Sequence, residues 1–184
     1  NVLDRKSLDN TDYYFETFNL GVSGNDSRQV LNRFKPEIEA RIKEEDDVVV
    51  IIQVGANDIQ YLKDEERIRV SEEEFKVNLR KLIDEAESFT DKIVLVSEAY
   101  TIIDGRIPWA KDKELSDERL KSYVEIQRSV SRKKDVELVD LRDKFSKEEW
   151  SKLMEDGCHP NSEGHKVIFK EIFQRLKDEN LLGL

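Results

Sequence analysis

The chain is poor in the residues that usually mark unusual architecture: among 184 residues it has 1 cysteine, 2 histidines, 3 prolines and 7 glycines. A single cysteine, Cys158, excludes an internal disulfide, and the expectation is a reducing, cytoplasmic compartment. So little proline and glycine leaves no linker or low-complexity tract at which to divide the chain, and 1–184 reads as one domain. No apolar run is long enough to span a bilayer. No signal peptide is visible, although one upstream of Asn1 stays open. Positive charge is also short: 31 Lys and Arg stand against 41 Asp and Glu, a net charge of −10. That balance argues against nucleic acid and anionic membranes as partners. It does not fix an oligomeric state.

Short apolar runs alternate with longer periodic segments. "DVVVIIQV" (47–54) is almost continuously β-branched and ends at Gly55, the pattern of a strand buried on both faces of a parallel sheet. "KIVLVS" (92–97) and "DVELVDL" (135–141) read alike, and "YFETFNL" (14–20) reads as an earlier, more alternating strand. Between them lie helical stripes. Val30, Leu31, Phe34, Ile38 and Ile42 share one face over 27–44, and Phe75, Leu79, Leu82, Ile83 and Ala86 share another after a capping box at Ser71. Ser116, Ser146 and Asn161 or Ser162 open three further helices. Strand and helix in alternation predict an α/β fold with a parallel sheet and helices on both faces.

In such a sheet, ligands bind beyond the carboxyl ends of the strands. The polar clusters fall there: "NLGVSGND" (19–26), "GAND" (55–58), "SEAYT" (97–101) and "DGCHP" (156–160). Each by itself reads as a βα turn. Together they offer the parts for acyl transfer. His159 has the chemistry of a general base and Asp156, three residues earlier, that of its orienting carboxylate. The Asn57 amide and the Gly24 backbone N–H have the chemistry of oxyanion donors. Asp156, His159 and His165 as a metal site is a competing reading, with too few strong ligands for zinc. Asp58 reads as a loop residue bonded locally. Tyr100 and Trp109 either line a substrate pocket or cover the edge of the core.

The ordered set resembles the SGNH hydrolases, or GDSL esterase/lipase family. "NLGVSG" is similar to that family's second block, "GAND" to its third and "DGCHPNSEGH" to its fifth. The resemblance implies a flavodoxin-like three-layer α/β/α sandwich. It implies Gly24 and Asn57 as oxyanion-hole residues, Asp156 and His159 as the last two members of a catalytic triad, and no cofactor. It breaks at the first block, because Gly-Asp-Ser, which carries the nucleophilic serine, is absent from these residues. Residues 1–8 read as the tail of the family's first helix, and the expectation is a further central strand and a Gly-Asp-Ser turn before Asn1. Ser7, Ser23 and Cys158 are poor substitutes: Ser7 has no strand before it, Ser23 reads as a turn residue, and Cys158 is adjacent in sequence to its own base. The expected activity is hydrolysis of small or acetylated esters through an acyl-enzyme. The alternative is a non-catalytic binding module that holds an acylated or glycan ligand.

Overall fold

The apolar runs of the sequence become a small parallel sheet, and the polar segments between them build a second sheet that periodicity did not announce. The computed structural model describes residues 15–183. In chain order its elements are α1 (Ser27–Glu39), β1 (Val50–Gln53), β2 (Tyr61–Leu62), β3 (Arg67–Ile68), α2 (Glu72–Ala86), β4 (Ile93–Val96), β5 (Gly105–Ile107), β6 (Ala110–Leu115), α3 (Asp117–Lys134), β7 (Glu137–Val139), α4 (Leu141–Lys144), α5 (Lys147–Ser151) and α6 (Ser162–Asp178). The helix tail expected at 1–8, with Ser7, lies outside the described residues.

Strands β1, β4 and β7 pair in parallel in that order. Successive residues of β4 point to opposite faces, as strand geometry requires, and each face has its own helices. Ile93 and Leu95 enter a cluster with Phe75, Leu79, Leu82 and Ile83 of α2 and with Leu120, Tyr123 and Val130 of α3. Val94 and Val96 enter a second cluster with Trp150 of α5 and Leu176 of α6. The result is an α/β sandwich with helices on both sides of a parallel sheet. Phe75, Leu79, Leu82 and Ile83 are wholly buried, and each stabilises the fold by about 1.5–3 kcal/mol through loss of apolar surface from water.

The helix starts follow from their caps. Asp26 caps α1 and forms a capping box with Gln29. Ser71, Ser116, Ser146 and Asn161 cap α2, α3, α5 and α6 with their side-chain oxygens. At α2 the reciprocal bond from Glu74 is replaced by a contact between Arg28 Nε and Glu74 Oε1 at 3.8 Å. α1 ends at Glu39, short of the expected Glu44. Ile42 N still donates to Ile38 O at 3.1 Å, so the apolar stripe finishes in an irregular turn.

Two strand expectations need correction. Residues 15–20 of the "YFETFNL" segment form no strand. Among the described residues β1 pairs only with β4, so its other edge offers no intervening strand for this segment to join. For the same reason β1 is not buried on both faces. Val50 and Ile52 are buried while Ile51 is 45% exposed, a one-sided pattern at a sheet edge.

The second sheet is antiparallel, in the order β3-β2-β6-β5. The β2–β3 hairpin leaves the loop after β1 and turns at Glu66, which has a φ of 49°. It returns the chain to Arg69, beside the segment it left. No helix among the described residues is long and apolar enough to cross a membrane.

Candidate active site

The site is assembled from loops at the carboxyl ends of β1 and β4. These strands are parallel neighbours with Gln53 opposite Val96, so the loops after them share one edge of the sheet. The segment after β1 carries Asn57. The segment after β4 holds the loop that carries His159. Two groups of residues therefore face the same edge from different parts of the chain.

The first group joins Gly24 to Asn57. Residues 22–25 form a turn closed by Asn25 N donating to Val22 O at 3.1 Å, and Gly24 has a φ of 80°. Open space surrounds the position a Cβ would take there, so it is this left-handed backbone that selects glycine. Asn57 Nδ2 donates to Asn25 O at 3.0 Å, which ties the loop of one expected oxyanion donor to the turn of the other. Below them Asp58 is fully buried, and both its carboxylate oxygens accept from Ser27 N at 3.1 Å. Asn78 Nδ2 in turn donates to Ser27 Oγ at 2.9 Å. Asp58 thus anchors the start of α1, a contact across 31 residues rather than the local one its loop position suggested. Burial pushes the Asp58 carboxyl above its ordinary range, and the bonds from Ser27 oppose that.

Arg69 closes this group. It donates to Asp26 Oδ2 at 2.9 Å, Gly24 O at 2.9 Å, Gln29 Oε1 at 3.1 Å and Gln60 Oε1 at 3.2 Å. Burial alone would raise the Asp26 carboxyl. The bonds from Arg28, the Gln29 N–H and Arg69 outweigh it and hold the group below the usual carboxylate range. Arg69 and Gln60 were not legible in the sequence as site residues. An arginine after a charged hairpin has no signature of its own, and only the return of the hairpin gives it these partners.

The second group is the loop 155–161. Asp156 Oδ2 lies 2.8 Å from His159 Nδ1, while Asp156 Oδ1 accepts from Cys158 N at 2.9 Å and His159 N at 2.7 Å. The three-residue spacing allows one carboxylate to hold both the backbone and the ring of the same histidine. Burial raises the Asp156 carboxyl, but the His159 ring and the two backbone N–H groups together outweigh it and keep it below the ordinary range. With Nδ1 tied, Nε2 is the ring nitrogen left for proton transfer. The loop closes on itself as Glu155 N donates to His159 O at 2.8 Å, and it is pinned where Gly157 O accepts from Ile102 N at 2.8 Å. Gly157 has a φ of 84°, and a Cβ there would come within 3.1 Å of Ile103.

Trp109, in the turn between β5 and β6, has its ring 5.8 Å from that of His159 and is 53% exposed. Tyr100 has other partners. Its hydroxyl donates to Arg142 O at 3.2 Å, the Arg142 guanidinium lies 4.2 Å over its ring, and it packs on the second core cluster. Burial pushes the Cys158 thiol up to about 11, with Asp156 and Glu98 adding to the effect, so it is protonated at neutral pH and suits a packing role. His165 is exposed on α6, where its N–H donates to Asn161 O at 2.9 Å. Among the described residues no three His, Cys, Asp or Glu side chains converge to hold a metal.

The fold has counterparts in known structures. A lipase/acylhydrolase from Enterococcus faecalis is 24% identical, covers 85% of this chain and 72% of its own, and superposes with a TM-score of 0.65. An acetyl xylan esterase is 19% identical, with 95% and 88% covered and a TM-score of 0.73. A catalytic serine-to-alanine mutant of an acetylxylan esterase from Geobacillus stearothermophilus is 20% identical, with 85% and 69% covered and a TM-score of 0.63. A search of curated proteins gave no significant match. The GDSL-like Lipase/Acylhydrolase family matches residues 5–167, a stretch that holds the Gly24 turn, the Asn57 loop and the Asp156–His159 pair, and to that family the chain belongs.

Proposed function

We propose that this domain hydrolyses small acetyl esters, including acetylated sugars, through a serine acyl-enzyme. The observation that carries the reading is the 2.8 Å contact of Asp156 with His159 Nδ1, on the sheet edge where the Asn57 amide bonds to the turn that holds Gly24. The nucleophile in this reading is the serine of the Gly-Asp-Ser block that the family resemblance implies and that residues 1–184 do not contain. The catalytic serine of the acetylxylan esterase mutant named above is consistent with this chemistry.

The reaction runs in two balanced steps. His159 Nε2 accepts the serine proton as Oγ bonds to the acyl carbon. The resulting oxyanion is held by the Asn57 amide and the Gly24 N–H. The imidazolium, stabilised by the Asp156 carboxylate, returns the proton to the leaving alcohol as the C–O bond breaks. Water then repeats the sequence, freeing acetate and the serine. Trp109 offers a flat, exposed apolar face beside His159 against which a sugar ring of the alcohol can lie.

The test is hydrolysis of p-nitrophenyl acetate and of acetylated xylooligosaccharides by the complete protein and by its His159→Ala variant. Turnover by the parent, lost in the variant, supports the proposal. Binding of the acetylated sugar without acetate release would instead make the domain a binding module, and equal turnover by both proteins would remove His159 from the chemistry.

A further inference from the structure

We infer that Gln60 and Arg69 form a relay that fixes which end of the Asn57 amide faces the substrate. They are positioning residues for the oxyanion hole; the inference rests on the role proposed for Asn57. A primary amide is nearly symmetrical in shape but opposite in polarity at its two ends. Only the NH2 end stabilises an oxyanion, and the oxygen end repels it. An oxyanion asparagine therefore needs its oxygen occupied by a donor whose own orientation is fixed.

The structure provides such a donor. Gln60 Nε2 donates to Asn57 Oδ1 at 2.9 Å. Gln60 is itself an amide that could turn over, but Arg69 Nη1 donates to its Oε1 at 3.2 Å. A guanidinium has donors only and cannot be reversed, so the polarity of the chain Arg69 to Gln60 to Asn57 is set from its charged end, in the same sense as the bond from Asn57 Nδ2 to Asn25 O. Arg69 is held in turn by Asp26, and the backbone of the hairpin keeps it in register, with Arg69 N donating to Gln60 O at 2.8 Å. The remaining Arg69 nitrogen donates to Gly24 O at 2.9 Å. One side chain thus orients the Asn57 amide and steadies the turn that carries the Gly24 N–H. This also gives the β2–β3 hairpin a purpose: it carries Arg69 back over the loop that Gln60 leaves.

The discriminating substitution is Gln60→Glu in the complete protein. Glutamate keeps the shape and adds a favourable ion pair with Arg69, but it only accepts hydrogen bonds. Two oxygens would then face each other; turning the Asn57 amide relieves this at the cost of its bond to Asn25 O, bringing its NH2 to the new carboxylate and its oxygen toward the substrate. The expected result is a kcat lower by about 10- to 100-fold, approaching loss of the donor itself, with KM within about twofold and no fall in Tm. Gln60→Met, which removes both bonds without adding charge, should lose less, and Arg69→Lys should resemble it because an ammonium cannot hold the fork. A merely structural Gln60 would lower Tm and kcat together, or neither. A kcat for Gln60→Glu within twofold of the parent overturns the relay.

A second readout is independent of activity. The side-chain NH2 signals of Asn57, assigned by their loss in Asn57→Asp, should shift downfield in Gln60→Glu as a proton bonds to a carboxylate. Unchanged signals overturn the relay even where activity falls. If Asn57→Ala leaves kcat intact, the oxyanion role of Asn57 fails, while the NMR shift still decides whether Gln60 orients its amide.

Discussion

The two halves of the site are built to different standards of rigidity. Around Gly24 and Asn57, the supporting side chains are buried and bonded several times over: Asp58 is fully buried, Asp26 nearly so, and Arg69 alone reaches four acceptors. Around His159 the ring is 64% exposed, and its polar side-chain partner among the described residues is Asp156. An oxyanion hole works by being in place before charge develops, so its donors gain from a scaffold that cannot relax. A general base must release and recapture a proton and meet its substrate, so one directional bond suits it better than a cage. The expectation is that substitutions in the exposed half change the chemistry alone, while those at the buried supports of the other half, Asp26 and Asp58, change chemistry and folding together.

The sharpest separation should come from the exposed half. In the complete protein, His159→Ala should reduce kcat by about 10⁴ or more, and Asp156→Asn by about 10⁴, with Tm unchanged in both. Calorimetry beside ester kinetics checks this. A large loss of Tm in either variant would erase the distinction between the halves.

Next in size is Asn57→Ala, which should lower kcat by about 10²–10³ with little change in KM. A raised KM at constant kcat would assign Asn57 to ground-state binding. Deeper in the same half, Asp58→Ala leaves Ser27 N–H without its acceptor and should cost about 1–3 kcal/mol in urea unfolding. Because Asp58 anchors the start of α1, kcat should fall as well. Full activity in the folded fraction would show that the Gly24 turn stands without that anchor.

The smallest effect is a pH slope. Glu98, half-buried after β4, has its carboxyl pushed up by burial from 4.5 to about 7, against the pull of a bond to Gln53. The folded state therefore keeps a proton that the unfolded chain has already lost across this window. Stability from this group is complete below the unfolded value and is lost as pH rises through the folded one. Glu98→Gln should flatten the decline in stability between pH 4.5 and 7. An unchanged slope would place the carboxylate in contact with water.

Much of this was legible in the sequence, and the reasons are physical. The parallel strands lie inside the runs 47–54, 92–97 and 135–141; β4, packed between helix layers, needs the nearly continuous apolar residues it has, whereas β1 has the same run with one face exposed. The helix starts were legible because Ser71, Ser116, Ser146 and Asn161 cap by short-range bonds. Asp156 and His159 were legible because their geometry is local, three residues apart. What stayed hidden depends on long-range contacts. The strand "AKDKEL" of β6 carries charge on a wet surface and shows no apolar period. The bonds of Arg69 to Gly24 and Asp26 cross more than forty residues, and nothing in local spacing predicts them. The segment 15–20 shows the opposite failure: its alternation suits a strand, but a strand also needs a neighbouring strand to pair with.

The most direct test of the account is active-site labelling of the complete protein with a fluorophosphonate, read by intact mass and peptide mapping. The account predicts one phosphonyl adduct, on the serine of a Gly-Asp-Ser turn, formed quickly in the parent and scarcely at all in His159→Ala. An adduct on Ser7, Ser23 or Cys158, or labelling that does not depend on His159, would contradict it.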